Sequence, residues 1–168
     1  MDLTNNVGAE GFSPGIFTHD YLVVAQAPRT LAGPNGLSAI GAALVTNPTP
    51  GKDRRSTVGG TVNDVGPLFR LDPGPNLVRS YSVPASRPDR SVAVVNYTVD
   101  DQHTMDEGFV LRFAEFTRGG RIVLVTYGEG NAIKQSFLTS FIWRSEVERI
   151  WLANAREVFA AAARGGRQ

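Results

Sequence analysis

The sequence contains no cysteine, only two histidines and no long apolar run. The absence of cysteine excludes disulfide bonds, thiolate metal ligands and cysteine nucleophiles. His19 and His103 are far apart and form no metal-binding pattern, so we expect no metal site and no cofactor. Every apolar stretch is too short to span a bilayer, and residues 1–15 lack the basic and apolar regions of a signal peptide. We therefore expect a cytoplasmic protein without membrane contact.

Concentrated positive charge is also missing. The 17 Lys and Arg residues nearly balance the 16 Asp and Glu residues, which leaves a formal net charge of +1. Nucleic-acid-binding domains usually gather their basic residues on one face. We therefore expect no nucleic-acid partner.

What the chain does have is the composition of one globular domain. It is 168 residues long and 42% hydrophobic, which is enough for a sizeable core. We predict a tail over residues 1–15, a single domain over residues 16–164 and a second tail over residues 165–168.

Alternating apolar residues predict a series of short strands. They cover residues 16–27, 58–71 (one strand or two), 77–83, 91–99, 108–117 and 121–127. The turn Arg118-Gly119-Gly120 predicts a hairpin between the last two strands, and short connections favour antiparallel pairing. Small residues at 36–45 predict a short helix, and Gly128-x-Gly130 is interpreted as a turn.

A long amphipathic helix is predicted near the C-terminus, with Asn131 as its N-cap and an end at Gly165. Residues at steps of three and four form its apolar stripe: Trp143, Val147, Ile150, Trp151, Asn154, Val158 and Ala161. This stripe needs an equally apolar partner, so we expect the helix to cover the sheet.

The inner face of the sheet is predicted from the alternation of side chains along each strand. In the strand over residues 108–117, the side that carries the bulkiest apolar residues is assigned inward. The residues assigned inward include Arg79, Tyr81, Tyr97, Phe109, Leu111, Phe113 and Glu115. Because a few polar groups among apolar ones are typical of ligand pockets, this set indicates an internal cavity.

Three residues of this set are candidate catalytic residues. Glu115, next to an aromatic ring, is a candidate acid or base with a raised pKa, and Tyr81 and Tyr97 are candidate hydrogen-bond donors to an enolate or carbonyl oxygen. The alternative is that Glu115 pairs with Arg112 or Arg121 and that the tyrosines are ordinary half-buried strand residues. The predicted ligand-binding residues are Arg79, Phe109, Leu111, Phe113, Trp143, Val147 and Trp151.

The order of these elements resembles a known superfamily. The similar part includes the hairpin GFVLRFAEFTRGGRIVLVTY and the segment that follows it, GEGNAIKQSFLTSFIWRSEVERIWLANAREVF. Antiparallel strands that end in glycines and lead into a long helix are similar to the START / Bet v 1-like (SRPBCC) superfamily, which includes polyketide cyclases. The resemblance spans about residues 16–163 in element order. It implies an α+β fold of the helix-grip type, in which a curved antiparallel sheet wraps around a long C-terminal α-helix. Between the sheet and the helix, this fold would contain an internal hydrophobic cavity.

The resemblance also implies a function. A hydrophobic, polyketide-like small molecule would bind in the cavity. The protein would act on it as a cofactor-independent enzyme that cyclises or rearranges this substrate in natural-product biosynthesis. Holding such a substrate in a reactive conformation can supply much of the catalysis, which agrees with the absence of a triad or metal motif. Two alternatives remain open: a non-catalytic carrier or sensor of a hydrophobic ligand, and a cyclase of the NTF2/SnoaL-like type. A homodimer is compatible with the sequence.

Overall fold

A computed structural model describes residues 18–51, 55–67, 75–99, 108–131 and 140–165, and at residues 18, 19, 131 and 140–145 it describes the backbone alone. In these ranges the chain forms two α-helices, α1 (Gly33–Thr46) and α2 (Ser140–Gly165), and a 3-10 turn at Arg29–Leu31. The strands of the same ranges are β1 (Thr18–Gln26), β2 (Val62–Asp64), β3 (Leu77–Val83), β4 (Ala93–Thr98), β5 (Gly108–Phe116) and β6 (Ile122–Asn131).

The described strands form one antiparallel sheet with the order β1-β6-β5-β4-β3-β2. β1 pairs with β6 along its whole length, from Thr18 opposite Asn131 to Gln26 opposite Val123. The predicted hairpin joins β5 to β6, and Gly120 in its turn has a φ of 71°, a left-handed conformation that glycine adopts without strain. The antiparallel sheet and the long C-terminal helix confirm the predicted α+β fold class.

Two predicted boundaries are wrong. β6 continues to Asn131, so Gly128 and Gly130 lie within a strand, and Asn131 is a strand residue rather than a helix N-cap. The strand extends this far because β1 pairs with it as far as Asn131 and β5 as far as Gly130. In the region 58–71, the described residues form only the short β2 and an isolated bridge from Val58 to β3.

Both helices lie on the same side of the sheet. α1 packs on β4, β5 and β6, whereas α2 packs mainly on α1, and β1 is the strand that α2 contacts most. The prediction that α2 lies directly on the sheet is therefore only partly right. α1 comes close to the sheet because its residues are small: a Cβ added at Gly41 would lie 3.0 Å from side-chain atoms of Ser91 and Val92. No helix in the described ranges is long and apolar enough to cross a membrane.

The inner face of the sheet, which faces the helices, carries mostly small and medium-sized side chains. Val94, Ala114 and Leu124 are buried there in one core with residues of both helices. Their neighbours along the strands point outward, and Tyr81 and Tyr97 keep 40% and 47% of their surface exposed. The predicted assignment of the two faces is therefore wrong.

The inversion applies to every strand residue that the sequence placed inside. The strand register puts all of them on the outer face: Arg79, Tyr81, Tyr97, Phe109, Leu111, Phe113 and Glu115. The physical reason is the close approach of α1. A helix of small residues lying directly on the sheet leaves room for valine and alanine beneath it but not for large aromatic rings.

Candidate functional site

The predicted site residues on the strands lie close together, but on the outer face. Tyr81, Tyr97, Phe109 and Tyr127 form a row of rings from β3 to β6, which we call the outer aromatic row. Successive ring centroids are 6.0, 6.3 and 6.0 Å apart, with tilted or edge-to-face geometry. Such contacts stabilise the rings against one another, although one side of the row faces solvent.

The predicted residues on α2 lie behind the sheet. Trp151 is buried, and Val147 is half-buried against the core on the inner side. The side chain of Trp143 lies outside the described residues. Because the sheet separates Trp151 and Val147 from the residues of the outer face, the two groups do not line one cavity. The catalytic and ligand-binding roles of both groups remain predictions.

Glu115 is not the isolated carboxyl group that its sequence neighbours indicated. Its carboxylate accepts hydrogen bonds from Arg87 Nη2 at 3.2 Å and from Arg90 Nε at 2.9 Å. Arg90 also lies over the ring of Phe113, 4.3 Å from its centroid. The carboxylate is therefore held by two guanidinium groups at the strand end, as in the alternative interpretation, but by different arginines from those expected.

The inner face carries a charged group that no prediction placed there, the guanidinium of Arg112 on β5. Arg112 is completely buried. Its Nε donates to Thr126 Oγ1 at 3.3 Å, and its Nη1 lies 3.4 and 3.3 Å from the carbonyl oxygens of Asn47 and Pro48. In the described part of the chain, Nη2 has no acceptor and no carboxylate pairs with the group. Burial lowers the pKa of Arg112 to about 9, so the group is still protonated at neutral pH.

Trp151 of α2 connects Arg112 to a tyrosine of β1. Its indole Nε1 donates to Tyr21 Oη at 2.9 Å, and its ring lies 4.8 Å from Arg112 Cζ, a cation–π contact. The Tyr21 ring lies directly over Gly128, where any Cβ atom would collide with it. Burial raises the pKa of Tyr21, so the phenol keeps its proton. That proton has no acceptor among the described residues.

Asn154, three residues after Trp151 on α2, adds an acceptor. Its Nδ2 donates to the carbonyl oxygen of Thr49 at 3.1 Å, close in the chain to the carbonyl groups that face Arg112. Its Oδ1 is buried without a donor among the described residues. We call the following five residues the inner polar cluster: Tyr21, Arg112, Thr126, Trp151 and Asn154. Among the described residues, two donors and one acceptor of this cluster therefore have no hydrogen-bond partner.

The other polar groups beneath the helices are paired with one another. Ser80 Oγ lies 2.6 Å from Ser56 Oγ and donates to Asn96 Oδ1 at 2.6 Å. Asn96 Nδ2 donates to the Pro48 carbonyl oxygen at 2.9 Å, and the Ser56 backbone N–H donates to Thr49 Oγ1 at 3.0 Å. These bonds fix the segment after α1 against β3 and β4. They therefore position the carbonyl groups that Arg112 contacts.

A separate cleft of about 500 Å³ lies between the end of β1 and the last turns of α2. Phe159 contributes to its apolar lining, and Arg29, Arg121 and Arg156 make it positively charged. None of these three arginines forms an ion pair with another described residue. The cleft contains no predicted site residue and no member of the inner polar cluster, so it is a distinct surface feature.

The important residues that the sequence did not identify are Tyr21, Arg112 and Asn154. Asn154 is the polar member of an otherwise apolar helix stripe, and this is the signal that could have revealed it. Arg112 alternates with large apolar neighbours in a strand that is apolar on both sides. No local pattern marks an arginine in such a strand as buried.

No protein-family model matches the sequence, and no curated protein matches it. The solved structures that are similar to the chain include the following two. The crystal structure of Ara h 8.0201 aligns with 86% of this chain and 97% of its own chain, at 9% identity and a TM-score of 0.47. That of CalU16 from Micromonospora echinospora aligns with 89% of this chain and 90% of its own chain, at 9% identity and a TM-score of 0.33. In the described residues, the strands and the long C-terminal helix follow one another in the order on which the sequence resemblance was based.

Proposed function

We propose that the protein binds a hydrophobic, polyketide-like small molecule beside α2 on the inner side of the sheet, and that the inner polar cluster holds an oxygen atom of this ligand. The supporting observation is the buried guanidinium of Arg112, whose Nη2 has no partner among the described residues. Removing a charged group from water costs several kcal/mol unless good partners replace the water. Three long hydrogen bonds and one ring contact replace it only in part. An oxygen atom of a ligand would complete the replacement.

The cluster defines the chemistry of the ligand. Arg112 Nη2 and the Tyr21 hydroxyl are donors, so they suit a carboxylate, an enolate or a ketone oxygen. Asn154 Oδ1 is an acceptor and suits a hydroxyl group. The Trp151 ring and the surrounding core supply the apolar part of the site. A polyketide-like molecule, in which keto or hydroxyl groups alternate with apolar carbon, has both features.

The reaction that we propose is an intramolecular cyclisation. An enolate carbon of the substrate attacks a carbonyl carbon of the same molecule, a carbon–carbon bond forms, and the carbonyl oxygen takes up the negative charge and then a proton. Arg112 and Tyr21, held rigidly beside the enolate oxygen, would lower the free energy of that anion. None of the five residues of the cluster is a carboxylate or a histidine. We therefore propose that a water molecule accepts the first proton. An acidic methylene group between two carbonyl groups permits this step.

Two ligands of similar shape but different charge test the binding site. The anionic probe is 8-anilinonaphthalene-1-sulfonate, and its neutral counterpart is N-phenyl-1-naphthylamine. We expect the protein to bind the anion at least about 10-fold more tightly at neutral pH, because a hydrogen bond to a charged group contributes on the order of 1.5–3 kcal/mol. Arg112→Met should lose this preference and still bind the neutral probe. Arg156→Met, in the separate cleft, is the control and should keep it. An unchanged preference in Arg112→Met would rule out the proposed site.

A non-catalytic carrier or sensor is the second candidate, because the described part of the cluster supplies donors but no base. Incubation with a short linear triketone distinguishes the two candidates. An enzyme converts many equivalents to the cyclic product, and Arg112→Met should then slow the reaction by roughly 100-fold, the usual effect of losing one oxyanion donor. A carrier binds one equivalent and releases it unchanged.

A further inference from the structure

In the described part of the chain, no helix covers the outer face of the sheet. This face exposes five large hydrophobic residues: Leu22, Val62, Tyr81, Val83 and Tyr97. The outer aromatic row connects them across the middle of the sheet. Contiguous apolar patches of this kind usually mark a binding surface, whereas single exposed apolar residues do not.

The strand register arranges the outward side chains in three rows across the sheet. The first row contains Asp20, Glu129, Phe109, Tyr97, Arg79 and Val62. The second row contains Leu22, Tyr127, Leu111, Val95 and Tyr81, and the third contains Val24, Val125, Phe113, Ala93 and Val83. These three rows together make up the outer face.

The first row is acidic at one end and basic at the other. Asp20 and Glu129 are direct neighbours on β1 and β6, and like charges in this position destabilise a sheet. Neither forms an ion pair with another described residue. Arg79, near the other end, is exposed and donates to the Gly60 carbonyl oxygen at 2.8 Å, again without a carboxylate partner in the described chain. Among the described residues, the acidic end therefore has no basic partner, and the basic end has no acidic partner.

We propose that the outer face is the interface of a homodimer, in which two copies of the chain pack sheet against sheet. A two-fold axis parallel to the strands and midway between β4 and β5 places β6 of one copy over β3 of the other, and β5 over β4. Glu129 then faces Arg79 of the partner subunit, and Phe109 faces Tyr97 of the partner subunit. In the second row, Tyr127 faces Tyr81 of the partner subunit. The face is thus complementary to itself, as a two-fold interface requires.

The size of the outer face fits a weak, reversible dimer. Six strands at a spacing of about 4.8 Å and three outward rows give about 500 Å² on each copy. Specific interfaces bury about 800 Å² on each partner, with weaker complexes below that value. An aromatic centre with charges near the edge is also the usual anatomy of a protein interface. We therefore expect a dimer that forms at high protein concentration and dissociates on dilution.

Charge reversal tests the proposed arrangement, with sedimentation velocity of the full chain over a wide concentration range as the measurement. Arg79→Glu and Glu129→Arg each bring like charges together at both ends of the interface, and each should weaken the dimer by about 10-fold or more. The combined variant restores opposite charges and should regain the association of the original protein. Arg118→Glu, in the exposed turn between β5 and β6, is the control and should have no effect.

Recovery in the combined variant is a result that misfolding of a single variant cannot produce. Tyr97→Ser, which removes the central ring without changing charge, gives a second check and should also favour the monomer. A protein that stays monomeric at the highest concentration would overturn the proposal and leave the outer face to a different partner. A dimer that survives both single reversals would also overturn it, because its interface would then lie elsewhere.

Discussion

The two faces of the sheet are filled in opposite ways. The inner face, which lies under the helices, buries the guanidinium of Arg112 and the hydroxyl of Thr126, whereas the outer face carries the rings of Tyr81, Tyr97 and Phe109. A sheet covered on one side usually has its apolar residues inside and its polar residues in solvent. The difference teaches that size, as well as polarity, decides which residues lie inside. The space beneath α1 accepts small side chains, and an arginine is accepted where a second helix supplies a ring to pack on it.

Each face also has an unmet requirement among the described residues, and the two requirements are of different kinds. The inner face lacks a hydrogen-bond acceptor for Arg112 Nη2 among the described residues, which is a requirement for one atom in one place. On the outer face, no described residue covers several of the rings, so what is missing there is a contact surface of sufficient area. A small molecule meets the first requirement and a second protein surface meets the second. The proposed ligand and the proposed dimer are therefore independent, and either proposal can fail alone.

The largest expected effect separates the two faces by their contribution to stability. Leu124→Ala, on the inner face, should lower the free energy of unfolding by about 3 kcal/mol, because it leaves a cavity in the core. Val125→Ala, the next residue but on the outer face, should cost about 1 kcal/mol or less in dilute protein. Urea unfolding measures both changes. Equal costs in dilute protein would break the comparison, because they would mean that the outer face is covered within the monomer.

The strand pattern predicted which side chains share a face, but it could not predict which face is inside. The alternation in β5 correctly separates Leu111 and Phe113 from Arg112 and Ala114. Both sets contain apolar residues, so local hydrophobicity does not distinguish them. The deciding factor is the close packing of α1, which depends on residues about 70 positions earlier in the sequence. The α+β class, the hairpin and the end of α2 depend on local patterns and were predicted correctly, whereas the inner polar cluster depends on tertiary packing.

The second effect tests the close contact between the inner face and Tyr21. Gly128→Ala should lower the free energy of unfolding by about 2 kcal/mol, because the new methyl group overlaps the Tyr21 ring. The displaced phenol would leave Trp151 Nε1 without its acceptor, so the tryptophan emission spectrum should change as well. Gly119→Ala is the matched control: its nearest neighbouring atom is 3.9 Å from the added Cβ, and it should leave both measurements nearly unchanged.

The third effect is an increase in the free energy of unfolding, and it comes from a comparison of one arginine on each face. Arg112→Met should raise the free energy of unfolding by about 1 kcal/mol, because a buried, incompletely paired charge is replaced by an apolar side chain of similar length. Arg90→Met, on the outer side, should lower it slightly, since Arg90 is paired with Glu115. Thermal and urea unfolding of both variants measure the difference. A marked loss of stability in Arg112→Met would show that the buried guanidinium mainly supports the fold.

The smallest effect compares one tyrosine on each face by its dependence on pH. Burial raises the pKa of Tyr21 in the folded protein, so the unfolded chain releases this proton first, near the ordinary value of about 10. The folded state then binds more protons than the unfolded state, and the free energy of unfolding falls by about 0.7 kcal/mol between about pH 9.5 and 10.5. Tyr21→Phe should remove this part of the decrease at any salt concentration.

Burial also raises the pKa of Tyr127, together with the hydrogen bond to Glu129 and the charges of Glu129 and Asp20. Its contribution therefore has the same sign but a partly different cause. Because salt screens charges near the surface, the decrease that Tyr127→Phe removes should be smaller in concentrated sodium chloride than in dilute buffer. The measurement is urea unfolding of both variants across this pH range at low and high salt. If salt abolished the Tyr21 contribution as well, charge rather than burial would control the inner tyrosine, and the contrast between the two faces would not hold at this position.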